Sequence, residues 1–242
     1  MPKKAAIFHG MAIYHMSAKV IGRYAGRSAT ASAAYRAAAR IVDERTGEVH
    51  DFTRKTGVRD TWVSTPEHAP AWMADRHQLW NAVEAKEKRK DAQLVREVEL
   101  ALPRELDSDA QHELVHRYVD EYFVRRGMVA DVAIHDAKAR DGQRQPHAHV
   151  LLTMREIDST KKHAFGAKVR EWNDTALLAE WRAAWAREAN AELDRVQQEH
   201  IDHRSLDAQR QEARREGDEA RANALEREPE PKLGPAATAM ER

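Results

Sequence analysis

Three of the 13 histidines in this 242-residue chain are placed where they could share one task. His147 and His149 flank Ala148 in Pro146-His147-Ala148-His149-Val150-Leu151-Leu152. Side chains alternate faces along a strand, so both imidazoles project the same way, and the apolar run behind them buries the strand. His135 closes a second apolar stretch, Val129-Ala130-Asp131-Val132-Ala133-Ile134. If these strands are neighbours, three imidazoles meet at one point. Neutral nitrogens hold a divalent cation without cancelling its charge and leave coordination positions open, which suits chemistry on a phosphate. The competing reading is histidines scattered by chance over surface and core edge. A tag is not, because these residues sit inside a strand pattern.

A cation that grips phosphate needs an attacking group. The chain has no cysteine, which removes thiolates, disulfides and cysteine-bound zinc and leaves Ser, Thr, Tyr or water. Tyr35 is the most suggestive of these, in Ser28-Ala29-Thr30-Ala31-Ser32-Ala33-Ala34-Tyr35-Arg36-Ala37-Ala38-Ala39-Arg40. On a helix its neighbours are Ala31, Ala38 and Ala39, so a bulky substrate can reach the phenol. The alternative is that the alanines permit close packing and Tyr35 fills a gap. A phenol with an ordinary pKa near ~10 needs a metal or a carboxylate beside it to attack at neutral pH. Glu97 and Glu99 alternate with Val98 and Leu100 and share a face, so one of them can approach the cluster; the plainer reading is two solvent-facing glutamates.

The elements that must position these groups follow from periodicity and caps. A first strand spans 11–21, and Gly22 and Gly26 bracket a turn. Ser28 caps an alanine-rich helix running to about 42, and a turn at Thr46-Gly47 leads to a short polar strand over 48–53. Pro66 and Pro70 mark a loop, and Asp75 caps a helix from 76 to about 90. A strand over 95–102 stops at Pro103, and Asp107 or Ser108 caps a helix with Leu114, Tyr118 and Tyr122 on one stripe as far as Gly127. The two histidine strands follow, joined as a hairpin. A polar loop after Ile157 carries Lys161, Lys162, His163, Phe165, Lys168 and Arg170. Asn173 or Asp174 opens a long helix whose Leu177, Leu178, Trp181 and Trp185 fall at core spacing rather than forming a stacking platform. Residues 204–228 read as a solvated helix or extension, and 229–242 as the end of a linker. The expected fold class is α+β: a largely antiparallel central sheet with helices packed on one side of it, plus a charged C-terminal helical extension.

Composition allows one large domain or one domain with an appendage. Hydrophobic residues make up 42% and charged residues 33%, with a mean hydropathy of −0.78. Lys plus Arg equals Asp plus Glu at 40 each, so a basic surface must come from local clustering. His9 and His15 interrupt the apolar start and no small-residue cleavage site follows, so neither a secretion signal nor a membrane span is expected. With the absence of cysteine this suggests a cytoplasmic protein.

Taken together, these residues resemble the MobA/MobL-type relaxases, the MobQ class of plasmid mobilisation and conjugation proteins. The matching stretches are Met11-Ala12-Ile13-Tyr14-His15 with Gly26-Arg27-Ser28-Ala29 through Tyr35, then Arg96-Glu97-Val98-Glu99-Leu100-Ala101-Leu102-Pro103. The His135 strand with Pro146-His147-Ala148-His149 is the third, and Ile201-Asp202-His203-Arg204-Ser205-Leu206 the fourth. The resemblance implies an HUH-type relaxase fold in which residues 1–203 form the nickase domain and 204–242 an extension toward a further region. It implies that Tyr35 is the catalytic tyrosine and His135, His147 and His149 the metal ligands. Glu97 would be the acidic residue near the centre, as base or as orienter of a ligand. Mg or Mn would be the working ion, although Zn, Ni, Co or Cu fit three histidines on affinity. The implied reaction is transesterification at the nick site of a transfer origin, giving a 5′-phosphotyrosyl bond and a free 3′-hydroxyl. Implied partners are hairpin and single-stranded origin DNA, other relaxosome proteins and a type IV coupling protein. Two features depart from the family pattern: ten residues precede Met11, and eleven separate His135 from His147.

Cations near these residues are candidate DNA contacts: Lys19, Arg23, Arg27, Arg36 and Arg40 around Tyr35, and Lys162, Lys168 and Arg170 in the later loop, where Phe165 could stack on a base. The competing functions are a rolling-circle replication initiator with the same chemistry, a DNA-binding accessory protein with a structural or vacant histidine site, and a metal-dependent hydrolase using water.

Overall fold

A computed structural model describes residues 14–138 and 144–226. Strand β1 (Met16–Gly22) leads through Arg23–Ala25, a single 3-10 turn, to Gly26, which takes the left-handed conformation at φ 67°. Helix α1 (Ala29–Ala37) starts at Ser28, whose hydroxyl accepts from Ala31 N at 2.9 Å. Its end corrects the sequence reading. Ala38 adopts φ 50°, and residues 40–42 form not helix but strand β2 (Arg40–Val42), paired with β3 (Val49–Asp51). Helix propensity favours continuation through three alanines, but burial of Ile41 to 2% exposure in the hairpin decides otherwise.

Strand β4 (Val58–Ser64) was not anticipated, because its polar residues hide the alternation expected of a half-buried edge. Helix α2 (Arg76–Lys86), capped by Asp75, ends four residues before the expected 90. Strand β5 (Gln93–Ala101) and helix α3 (Ser108–Tyr122), capped by Asp107, follow the expected order. The histidine strands are β6 (Ala130–Lys138) and β7 (Arg144–Leu152). The polar stretch after Ile157 is not all loop: β8 (Arg155–Ile157) pairs with β9 (Phe165–Lys168), and Phe165 is buried at 1% exposure, so it cannot stack on a base. Helix α4 (Thr175–Arg195) is capped by Asp174 and buries Trp181 and Trp185 completely.

Five strands form one antiparallel sheet in the order β1-β5-β7-β6-β4. Alternation divides its side chains between two cores. Val98, Leu100, Ala130, Val132, Ile134, Ala148, Val150 and Leu152 pack with α3 and α4. Val95, Val129 and Leu151 lie on the opposite face under α1 and α2, with Leu79 and Trp80. Along that second face the same strands continue as Glu97, Glu99, His135, His147 and His149. Asp131 is buried there and held by Arg76 in two hydrogen bonds of 2.9 Å and by Trp80 Nε1 at 2.8 Å. The fold is thus α+β as expected, but helices cover both faces of the antiparallel sheet rather than one, because side chains of both alternation phases are apolar along its central strands.

The chain divides into two compact units, 1–201 and 202–242. In the second, α5 (Leu206–Arg215) and α6 (Glu219–Ala224) bury Ala213 and Ala222, and Arg204 pairs with Asp202 and Glu212. No described helix is long and apolar enough to cross a membrane. The expected linker end over 229–242 lies outside the described residues, as does the first part of the 11–21 strand.

Candidate metal centre

Antiparallel register brings the three histidines together. His135 on β6 lies directly opposite His147 on β7, and His149 follows two residues on, on the same face. Their ring centroids are 5.2, 4.7 and 5.0 Å apart, taking 135 with 147, 135 with 149, and 147 with 149.

Each ring gives one nitrogen to an acceptor that can only accept, which fixes its tautomer. His135 Nε2 donates to Arg36 O at 2.7 Å, His147 Nδ1 to Gln145 O at 3.0 Å, and His149 Nδ1 to Glu97 Oε1 at 2.8 Å. That leaves Nδ1 of His135 and Nε2 of His147 and His149, one lone pair per ring. The three residues offer ligand atoms within 4.8 Å of one another, and among the described residues no other His, Asp or Glu cluster does so. The donor set therefore suits a divalent ion: three neutral nitrogens, each anchored from behind.

Burial favours the neutral form of His135 and His149. Burial pushes the His135 imidazolium down to about 3, and its bond to the Arg36 carbonyl only partly opposes this. Burial likewise lowers His149, outweighing the attraction of Glu97. Glu97 is 1% exposed, and burial alone would raise its carboxyl; hydrogen bonds and charge from His149 and Arg36 reverse that and hold it well below the usual carboxylate range. Arg36 Nε reaches Oε1 at 2.6 Å and Lys19 Nζ reaches Oε2 at 3.1 Å. Glu97 is thus an ionised carboxylate whose Oε1 accepts from His149 and Arg36 and whose Oε2 is ion-paired with Lys19. Glu99, expected on the same face, lies beside His149 in the register and acts on it only through its charge.

Tyr35 lies in the last turn of α1, where the final carbonyls lack partners within the helix. Ala34 O accepts from Ala39 N at 2.9 Å, Tyr35 O from Lys55 Nζ at 2.9 Å, and Arg36 O from His135. The histidine cluster and the turn carrying Tyr35 are therefore joined by a hydrogen bond one residue away. The ring of Tyr35 meets Phe52 edge-on at 5.2 Å and is 39% exposed. Of the two neighbouring tyrosines, Tyr24 is 72% exposed beyond the other end of α1, and the Tyr14 hydroxyl donates to Arg182 O at 3.2 Å, packing on the α3–α4 side.

The cations named from sequence separate into two groups. Lys19 and Arg36 are bound to Glu97. Arg23 bonds Glu84 Oε2 and Glu87 O, both at 2.5 Å, and Lys168 bonds Gln93 O and Glu87. Their charge is committed within the fold, which the sequence reading missed. Arg27, Arg40, Lys162 and Arg170 are exposed. Sequence reasoning also passed over Glu84, 1% exposed, which accepts from Ala29 N at 2.7 Å and pairs with Arg23 and Arg45, and Asp43, which accepts from Thr30 at 2.8 Å. Both fix the start of the helix that carries Tyr35.

The sequence model of the MobA/MobL family matches residues 27–242. The chain belongs to the MobA/MobL family. This MobA/MobL chain is 39% identical to the mobilization protein MobL of Acidithiobacillus ferridurans over 264 aligned residues, covering 96% of the chain and 64% of that protein. It is 40% identical to the conjugal transfer protein TraA of Agrobacterium fabrum over 168 residues, covering 65% of the chain but 14% of TraA. The chain thus spans less than two thirds of these relatives. Among solved structures, one described as the molecular basis of vancomycin resistance transfer in Staphylococcus aureus superposes with a TM-score of 0.73 at 30% identity, covering 80% of this chain and all of that one. The conjugative relaxase TrwC, solved in complex with oriT DNA, shares the fold at a TM-score of 0.50 and 11% identity, covering 94% of this chain and 95% of its own.

Proposed function

We propose that this MobA/MobL chain is the nicking part of a plasmid mobilisation relaxase, in which Tyr35 transesterifies one phosphodiester of transfer-origin DNA. The observation that carries this reading is the hydrogen bond from His135 to Arg36 O, which ties the turn bearing an exposed phenol to the three-histidine cluster. The Tyr35 O–P bond forms as the P–O3′ bond breaks. The phenol proton passes to solvent and the 3′-oxygen takes one up, leaving a 5′-phosphotyrosyl ester and a free 3′-hydroxyl. One ester replaces another, so the strand can later be resealed.

His135, His147 and His149 would hold the divalent ion, which when bound polarises the phosphate and stabilises its developing charge. Zn, Ni, Co and Cu suit three imidazoles on affinity, whereas Mg or Mn is the working ion we propose from availability in the cell. Glu97 acts as the orienter of His149 rather than as a base, since its Oε1 accepts from His149 and Arg36 and the ion pairs with Arg36 and Lys19 favour its ionised form. Arg27, Arg40, Lys162 and Arg170 are the proposed phosphate contacts; Arg23 and Lys168 are structural. The substrate class is a hairpin with a single-stranded segment leading to the nick, and relaxosome proteins and a coupling protein belong to the same proposal.

The test is incubation with an origin oligonucleotide and Mn²⁺, followed by a denaturing gel. A covalent adduct is expected, lost in Tyr35→Phe and kept in Tyr24→Phe. Cutting without an adduct would indicate water as the nucleophile, and binding without cutting an accessory protein. Plasmid transfer separates mobilisation from replication initiation.

A further inference from the structure

A cleft of about 690 Å³ opens between α2, the 3-10 turn at Ala71–Ala74 and the turn that joins β8 to β9. That volume is typical of small-ligand sites, which pair apolar walls with a few placed polar groups. Trp72 supplies the aromatic wall: it is half-buried, packs in part against the second core, and lines the cleft. Gln78 and Ser159, both exposed, add an amide and a hydroxyl. Lys161 lines the cleft as well, and the charges of Lys162, Lys86 and Lys88 are felt at His163 beside it. His163 and Ala164 take left-handed conformations in succession, at φ 61° and 53°, which costs energy for residues with a Cβ. Ala164 N donates to Lys161 O and Asp158 N to Ala164 O, both at 2.9 Å, and Lys86 Nζ donates to Phe165 O. These bonds hold the turn against that cost and fix one wall of the cleft.

The β2–β3 hairpin links this cleft to the turn that carries Tyr35. Glu44, in the hairpin's turn, lines the cleft, and its N donates to Asn81 Oδ1 of α2 at 2.8 Å. At the hairpin's base Phe52 N donates to Ala39 O at 3.1 Å, and the Phe52 ring meets Tyr35 at 5.2 Å. The three residue pairs between these ends span about 10 Å. Resting on the reading that the chain takes transfer-origin DNA, we infer that the cleft is a subsite for one unpaired nucleotide of that strand, other than the one attacked, with its base against Trp72 and its phosphate at Lys161. A merely basic surface would hold phosphates without an aromatic wall, and an apolar cleft would not gather cations; a nucleotide uses both. Gln78 offers a donor and an acceptor side by side to the base edge, so base identity is read there. Glu44 repels a phosphate, which leaves the backbone to Lys161.

The test uses the full chain and origin oligonucleotides modified at one position at a time through the single-stranded segment. One series carries 5-iododeoxyuridine; after irradiation the crosslinked peptide is identified by mass spectrometry. A second series carries an abasic site, and its affinity is measured for wild type, Trp72→Ala, Gln78→Ala and Lys161→Gln. Gln78 and Lys161 are exposed, so their replacement leaves the fold intact. Adduct formation with Mn²⁺ is followed on the same oligonucleotides.

Crosslinking to Trp72 is expected from one position or two adjacent ones. An abasic site there should weaken wild-type binding about tenfold, the size of one base stack. Trp72→Ala should lose a similar factor on the intact strand and nothing more on the abasic one, whereas a structural role would weaken both equally. Gln78→Ala should level the preference among the four bases at that position only. Lys161→Gln should reduce the slope of log affinity against log salt by about 0.7. Equal losses of Trp72→Ala on intact and abasic strands, or crosslinks over many positions with none at Trp72, overturn the inference; an adduct lost in Tyr35→Phe then leaves the nicking reading standing. Specific crosslinking to Trp72 by a wild-type chain that forms no adduct supports the cleft and overturns the nicking reading instead.

Discussion

Glu97 is the residue through which most of the site's electrostatics pass, because it pairs with Lys19 and Arg36 while fixing His149. Glu97→Gln keeps the shape but loses the charge, and removing such a partner behind a metal ligand typically costs 10- to 100-fold in metal affinity, an order-of-magnitude expectation of about tenfold or more here. Metal titration without DNA measures it; unchanged affinity would contradict the assigned role. A pH dependence follows from His135. Its folded-state value of about 3 lies below the ~6.5 of an unfolded chain. Between those values the unfolded state binds a proton that the folded state does not, so stability rises with pH across the window and falls on acidification from ~6.5. His149 acts in the same sense. In metal-free protein the urea midpoint should drop between pH 7.5 and pH 5, and His135→Asn should narrow that drop.

At the scale of elements, α1 shows how a nine-residue helix is held in register. Its start is fixed by the Ser28 cap, by Glu84 on Ala29 N and by Asp43 on Thr30; its end by Lys55 and His135 on consecutive carbonyls. Glu84→Ala leaves Arg23 and Arg45 facing a buried gap, and breaking such a pair costs roughly 3–5 kcal/mol. Chemical denaturation reads this directly. Ala38 pays the steric penalty of φ 50°, so Ala38→Gly should stabilise the protein by about 0.5–1 kcal/mol once the greater freedom of unfolded glycine is allowed for. The same position explains the misplaced helix end: three alanines signal continuation locally, while the pairing of Ile41 with His50 is a contact no helix period reveals. Strand β4 escaped notice for a related reason, since its partner β6 lies about seventy positions away and its own residues are half exposed.

For the whole molecule, every residue of the candidate site lies in the unit spanning 1–201. A chain ending at 201 should therefore bind metal as the full chain does, within about twofold, which isothermal titration would check; a large loss would give the charged extension a part in the site. What the sequence by itself determined is the set of groups with like facing. His147 and His149 at spacing two on a strand, His135 at the end of another apolar run, and Tyr35 among alanines are local patterns, and covalent geometry alone dictates which way such side chains point. What only the tertiary structure decided is the partner of each group. Arg36 and Glu97 are 61 residues apart, His149 and Glu97 52, and Lys55 and Tyr35 20. In sequence a lysine that caps a helix, one that neutralises a buried glutamate and one left for DNA look the same. Charge has no periodicity of its own, and the distances that give it a role exist only once the sheet has folded.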